Sequence, residues 1–122
     1  MRDALLLLAH GSREPAWAGP VRKLRDHIEE QLPAHSVALA YLENMSPSLA
    51  VAVDELVAQG ARRIRVLPLF LGQGGHLRRD LPVLVASARI AHAAVTIELM
   101  PAIGEQDAIL DILAHAIVQT LG

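Results

Sequence analysis

Four short apolar segments recur along the chain, and each is followed by a segment with helical features. The apolar segments read DALLLLAH, SVALAYLE (36–43), RRIRVLPLFL (62–71) and AVTIELM (94–100). Because strands that are apolar throughout and alternate with helices form parallel sheets, this order predicts an α/β fold. We therefore expect a single domain over residues 1–122. Its four-stranded parallel sheet should be flanked by helices on both faces, in a doubly wound arrangement with right-handed crossovers.

The first three helices are indicated by apolar spacing and by capping residues. Residues 15–32 carry an apolar stripe at helical spacing that ends before Pro33. Ser46 and Pro47 suit the N-cap and first position of a second helix, which ends at Gly60. The third helix is expected to start at an Asp80 N-cap and to have Pro82 in its first turn. Its inward-facing residues are expected to be Leu84, Val85 and Ala88.

The last helix, at about 105–121, has the widest apolar surface of the four. We expect it to bury one stripe against the sheet. The residues of that stripe are Ile109, Ile112, Leu113, Ala116 and Ile117. The stripe is widened beyond what one sheet face needs by Leu110, Val118 and Leu121.

Composition excludes several classes of protein. The formal net charge is −2 and aromatic residues make up 2%, which argues against a nucleic-acid partner. The chain has no cysteine, so disulfides, thiolate catalysis and cysteine-ligated metal centres are excluded. The first apolar run, Ala4–Ala9, is too short for a signal-peptide core, and no run approaches a membrane span. We therefore expect a cytoplasmic protein with no membrane partner, and the absence of a GxxxxGK[ST] motif predicts no nucleotide.

Three polar residues that can carry chemistry lie at or just beyond the ends of the first three strands. They are His10, Glu43 and His76. Because the carboxyl ends of parallel strands share one edge of the sheet, we expect these side chains to converge. Two imidazoles and a carboxylate suit a divalent transition metal, and without a thiolate the site should be open and exchangeable. Either imidazole could instead accept a proton, because histidine titrates near neutral pH.

Glycine and arginine residues surround this predicted site. Glycines 72, 74 and 75 allow positive φ angles and close approach of a ligand, or they simply form a tight turn. Arg13, Arg78 and Arg79 flank the histidines and, together with helix amino termini, indicate an anionic ligand; ordinary solvated surface is the alternative. For Asp80, helix capping is favoured over orienting the His76 imidazole. The remaining histidines (27, 35, 92 and 115) are expected to have no role in the site.

The segments LLLLAHGSRE, AYLENMSPSL and RIRVLPLFLGQGGHLRRDLP resemble the small sirohydrochlorin chelatases of the CbiX/SirB type, within the class II tetrapyrrole chelatases. The resemblance implies half of a chelatase-like, flavodoxin-like fold that works as a homodimer. It implies ATP-independent insertion of Co²⁺ or Fe²⁺, with Ni²⁺ as a further candidate, into sirohydrochlorin for cobalamin or sirohaem biosynthesis. His10 and His76 then form the metal-binding and proton-accepting pair, assisted by Glu43. The tetrapyrrole is expected to contact Ser12, Arg13, Gly72, Gly74, Gly75 and Arg78.

Two other functions use the same residues. A non-catalytic metal carrier or sensor would bind metal tightly and have no affinity for a tetrapyrrole. A flavodoxin-like anion-binding module, in which the histidines are incidental, would bind no metal. Two imidazoles and a carboxylate do not discriminate among cobalt, iron and nickel, so the metal stays open.

Overall fold

The computed structural model describes residues 2–122 and contains one four-stranded sheet. The strands are β1 (Arg2–Ala9), β2 (Ser36–Tyr41), β3 (Ala61–Pro68) and β4 (Thr96–Leu99). Every pairing is parallel, and the strand order is β2-β1-β3-β4. The predicted fold class is confirmed, with strand bounds that differ from the expected ones by up to three residues.

Helices connect the strands and cover much of the sheet. They are α1 (Gly19–Gln31), α2 (Leu49–Ala58), α3 (Gly75–Ala91) and α4 (Asp107–Gln119), and a 3₁₀ turn (Pro15–Ala18) precedes α1. Within residues 2–122, none of these helices has the length and apolar character that crossing a bilayer requires.

The core lies on both sides of β1, whose side chains alternate between the two faces. Leu6 and Leu8 are fully buried on the face covered by α2 and α3, where they share a cluster with Val53 and Val85. Leu7 is equally buried on the other face, in the cluster against which α1 packs. A strand buried on both faces has no polar position in its interior, which explains its unbroken apolar sequence.

The start of α3 differs from the expectation. The helix begins at Gly75 with Gly74 as N-cap, so Asp80 and Pro82 lie inside it. The prediction of an Asp80 cap was therefore wrong, as was the inward position of Leu84, which is 42% exposed. Val85 and Ala88 do face the core. Their burial stabilises a helix that an internal proline alone would disfavour.

The N-cap of α2 is Ser48 rather than Ser46. The Ser48 side-chain oxygen accepts a hydrogen bond from the backbone N–H of Val51 at 3.3 Å, which satisfies one of the free donors of the first turn. At its other end the helix stops at Ala58, and Gly60 follows with a φ of +97°. The predicted glycine stop is therefore correct, and the predicted cap is shifted by two residues.

The exposure of α4 is the largest departure from expectation. The helix contains no buried residue, and Ile112 and Ile117 are 69% and 61% exposed. The predicted burial of its stripe (Ile109, Ile112, Leu113, Ala116 and Ile117) within this chain was wrong.

The uncovered side of β3 and β4 explains why α4 does not pack there. Ile64 and Val66 point to the α2 and α3 face, so Arg63 and Arg65 point to the other. The Arg63 guanidinium donates two hydrogen bonds to the Glu98 carboxylate, at 3.1 and 3.3 Å. A helix laid over this face would remove these charges from water at a large cost.

A tight backbone approach at Gly11 fixes the path of the chain after β1. Gly11 has a φ of +92°, a conformation that side-chain-bearing residues rarely adopt. A Cβ atom at this position would lie 1.9 Å from the Glu43 carbonyl oxygen, well inside van der Waals contact. Glycine is therefore required for the β1 and β2 ends to lie side by side.

Replacing Gly11 with alanine should lower the free energy of unfolding by more than about 1 kcal/mol, because the new Cβ meets both the unfavourable φ and the Glu43 carbonyl. Gly72→Ala is the matched control, since a Cβ there has no neighbour within 4 Å. It should change stability by less than about 0.5 kcal/mol. Denaturant unfolding of both variants measures the difference, and equal losses would contradict the role assigned to Gly11.

Candidate functional site

His10 and Glu43 are joined through their backbones at the carboxyl edge of the sheet. The β1–β2 ladder continues beyond its last strand pair, because the Leu42 N–H donates to the Ala9 carbonyl oxygen at 3.0 Å. The Glu43 N–H then donates to the His10 carbonyl oxygen at 3.1 Å. Both side chains are exposed. The sheet itself therefore holds the backbones of a histidine and a glutamate together at its rim.

His76 reaches the same region from the first turn of α3 rather than from a loop. Its Nε2 lies 3.0 Å from Oδ2 of Asp80, one helical turn further along. The His76 side chain is 84% exposed, so its ring is otherwise open to solvent. The orienting role of Asp80, which the sequence left as the less favoured alternative, is the one that fits this geometry. A carboxylate on Nε2 fixes the tautomer of a neutral imidazole and leaves the Nδ1 lone pair for a ligand.

The side chains of His10, Glu43 and His76 line one cavity of about 330 Å³. Asp80 also lines it, and its apolar wall consists of Leu42, Leu77 and Leu84. A cavity with an apolar wall and a few polar groups at its edge is typical of small-molecule sites.

The side chains that line this cavity are not gathered around a single point. Within residues 2–122, no three histidine, aspartate or glutamate side chains lie close enough together to hold a metal ion. The assignment of His10, Glu43 and His76 as a metal-binding set therefore stays a prediction.

Phe70 is a neighbour of the site that sequence reasoning missed. Its ring centroid lies 4.5 Å from that of His10, with an angle of 45° between the ring planes. Phe70 is only 4% exposed and belongs to the main core cluster. The sequence feature that could have indicated it is its position in PLFLGQGGH, where it is the only phenylalanine of the chain. A hydrophobic pattern marks such a residue as core and does not reveal what its ring touches.

The glycines before His76 do not use the positive φ angles that glycine allows. Within residues 2–122, positive φ angles at glycine occur at positions 11, 60 and 122, and not at Gly72, Gly74 or Gly75. All three are exposed, and a Cβ on any of them would have no protein atom within 4 Å. The space beside this loop is therefore open.

The remaining predicted substrate residues are spread around the rim. The Ser12 side-chain oxygen accepts a hydrogen bond from the Glu14 N–H at 3.1 Å, within a local turn, and Arg13 is exposed. Arg78 projects from a different side of α3 than His76. It lines a separate cavity of about 390 Å³, together with Met100. The structure therefore does not bring these residues into the His10 cavity.

Comparison with known proteins identifies relatives of this chain. The sequence profile of the CbiX family matches residues 4–120. The sirohydrochlorin cobaltochelatase of Methanococcus aeolicus is 34% identical over 83 residues, which are 68% of this chain and 58% of that protein. The match therefore spans less than two thirds of that relative. The sirohydrochlorin cobaltochelatase of Saccharolobus islandicus is 30% identical over 122 residues, covering 95% of this chain and 94% of the relative.

Solved structures show the same fold. A crystal structure described as a CbiX protein of cobalamin biosynthesis from Marinobacter aquaeolei is 33% identical, with a TM-score of 0.84 over 98% of this chain and 97% of the other. The cobalt complex of the sirohydrochlorin chelatase SirB from Bacillus subtilis subspecies spizizenii is 24% identical, with a TM-score of 0.81. That match covers 98% of this chain and 51% of SirB. By sequence profile, by identity and by fold, this chain belongs to the CbiX family.

Proposed function

We propose that this chain is a sirohydrochlorin chelatase that inserts Co²⁺ or Fe²⁺, with Ni²⁺ as a further candidate, into the tetrapyrrole without nucleotide hydrolysis. The proposal includes a cytoplasmic location and a place in cobalamin or sirohaem biosynthesis. The observation that carries it is the cavity shared by His10, Glu43 and His76 in a chain of the CbiX family. The names of the relatives from Methanococcus aeolicus and Saccharolobus islandicus support the same reaction.

The donor set suits a metal that is a substrate rather than a resident cofactor. Imidazole nitrogen and carboxylate oxygen bind divalent first-row metals less tightly than thiolates do, so the ion can be transferred to the tetrapyrrole. Insertion replaces the two pyrrole N–H protons of the macrocycle with one divalent ion, so two protons must leave as the metal enters. His10 or His76 can accept one of them, and solvent at the exposed rim can take the other.

The His76–Asp80 contact supports this assignment. With Nε2 engaged by the Asp80 carboxylate, the free Nδ1 of a neutral His76 is the atom that would bind the metal or accept the proton. Placement on a helix keeps the imidazole and the carboxylate at a fixed spacing of one turn. We therefore assign Asp80 as the residue that orients His76.

The surroundings of the cavity match a flat, polycarboxylate ligand. Leucines form its apolar wall, which suits the macrocycle. Ligand carboxylates that extend beyond the cavity would interact with Arg13, with Arg78 on the neighbouring cavity, and with the free N–H groups at the amino terminus of α3. The open space beside glycines 72, 74 and 75 would admit the edge of the ligand close to the backbone. Ser12 completes the proposed substrate-binding residues.

We further propose that the active form is a homodimer whose second copy covers α4. The exposed apolar side chains of this helix, including Ile112, Ile117 and Val118, form a surface of the kind that marks protein interfaces. The fold of this chain also accounts for about half of SirB, at 51% of its length, so two copies would make a body of SirB size. We propose that the rim histidines of both copies face one tetrapyrrole in this dimer.

Replacing His10 or His76 with alanine should reduce the rate of Co²⁺ insertion into sirohydrochlorin at least about 100-fold, to near the uncatalysed rate. The physical reason is the loss of a metal ligand or proton acceptor. The absorption change of the macrocycle on metal insertion measures this rate. His27→Ala, on the exposed surface of α1, is the matched control and should retain full activity.

Circular dichroism should show that all three histidine variants are folded. Near-normal chelation by His10→Ala or His76→Ala would refute the site. Tight Co²⁺ binding by the wild-type protein, with no accelerated insertion and no affinity for sirohydrochlorin, would favour a metal carrier instead.

The α4 surface predicts a specific oligomeric state. The wild-type protein should sediment as a dimer, and Ile117→Asp should shift it to the monomer, because an unpaired carboxylate cannot be buried in an apolar interface without a large penalty. Ile90→Asp is the control, since Ile90 is 83% exposed on α3. That variant should remain dimeric. A wild-type monomer at assay concentrations, measured by analytical ultracentrifugation, would contradict the dimer.

A further inference from the structure

We propose that Phe70 is a positioning residue for His10, and that the turn between β4 and α4 holds Phe70 in place. This inference deepens the proposed function, because it rests on His10 as a ligand or proton acceptor. It assigns a role to the segment PAIGE (101–105). Pro101 and Glu105 of this segment line the cavity of about 390 Å³ that contains Arg78, and no residue of the segment lines the His10 cavity.

The two site histidines are held by different interactions. His76 is oriented by a carboxylate at 3.0 Å, whereas the His10 ring rests against the Phe70 ring at a centroid distance of 4.5 Å. His10 is exposed, and an exposed side chain ordinarily samples several staggered rotamers. Contact with the Phe70 ring, which is tilted by 45° relative to the imidazole, restricts this freedom. The Phe70 contact therefore decides where the His10 nitrogens point.

Phe70 can do this because it does not move itself. Its side chain is 4% exposed and is packed in the core cluster that contains Leu8 and Ala102. The backbone on its amino-terminal side continues the sheet, since the Leu69 N–H donates to the Leu8 carbonyl oxygen at 2.8 Å. The ring under His10 is thus anchored from the strand.

The carboxyl-terminal side of Phe70 is anchored by the turn after β4. The Gly104 N–H donates to the Phe70 carbonyl oxygen at 3.0 Å. A Cβ on Gly104 would lie 1.6 Å from the Leu71 carbonyl oxygen, so the two backbones touch where no side chain fits. Only glycine allows this approach.

A second contact ties the same turn to the loop that leads into α3. Gln73 Nε2 donates to Glu105 Oε1 at 2.9 Å. The turn is itself closed, because the Glu105 N–H donates to the Ala102 carbonyl oxygen at 2.9 Å. The loop from Phe70 to Gly74 therefore supports His10 through the Phe70 ring and His76 through the start of α3. Both depend on a segment that follows the last strand.

The contact itself can be tested by NMR on the metal-free, full-length protein. Cross-relaxation should be seen between the His10 imidazole protons and the Phe70 ring protons. In Phe70→Leu, which keeps an apolar side chain but removes the ring, the ring-current displacement of the His10 signals should be lost. The absence of the cross-peaks in the wild type, or unchanged His10 signals in the variant, would overturn the inference without reference to any metal.

The consequence for ligand binding is tested by Co²⁺ titration calorimetry. Phe70→Leu should raise the Co²⁺ dissociation constant about 10-fold, the low end of the loss that follows removal of a residue supporting a metal ligand. Val85→Ala is the matched control, because it shortens a fully buried side chain of α3 outside the cavity. It should lose stability but keep the wild-type Co²⁺ affinity. Equal weakening by both variants would mean that Phe70 acts only through stability.

Different results would contradict the proposed function and the positioning role of Phe70. If the wild-type protein binds no Co²⁺, the proposed function fails, while the NMR measurements still decide whether Phe70 positions His10. If wild-type Co²⁺ binding depends on His10 but is unaffected by Phe70→Leu, the function stands and the positioning role is overturned.

Discussion

The parallel pairing of β1 with β2 on one side and with β3 on the other is the interaction on which the rest of the structure depends. Leu6, Leu7 and Leu8 are fully buried between the helices of the two faces, so this strand can occupy only the centre of the sheet. Once it does, the carboxyl ends of three strands meet at one edge. The polar residues that follow them then line one cavity, although they are far apart along the chain.

The residues at that edge are held in different ways. His10 and Glu43 are held by a backbone hydrogen bond that prolongs the sheet, and Gly11 allows the strands to approach closely enough for it. His76 instead lies at a helix terminus, with its ring largely in solvent and one nitrogen against Asp80. One half of this cavity is thus built on the sheet and the other half on the end of a helix.

Charge on the sheet accounts for the unusual state of the last helix. β3 and β4 present Arg63, Arg65 and Glu98 to the side opposite α2 and α3, where the guanidinium and carboxylate groups keep contact with water. An apolar helix gains nothing by covering such a face, because the desolvation cost exceeds the gain from burying leucine and isoleucine side chains. α4 is left with its apolar surface exposed, and this is the surface on which the proposed dimer rests.

The sequence by itself determined the order of strands and helices, the parallel sheet and the identity of the three rim residues, since these follow from local apolar spacing and from the geometry common to parallel sheets. The alternation of Arg63 and Arg65 with Ile64 and Val66 also indicated a polar sheet face, which the expectation of helices on both faces did not take into account. Only the tertiary structure decided that α3 starts at Gly75, that the Phe70 ring meets His10, and that Gly104 must lack a side chain. Each of these depends on contact between segments distant in sequence. A local apolar pattern predicts that a residue is buried, but it does not predict which atoms of a distant segment that residue will contact.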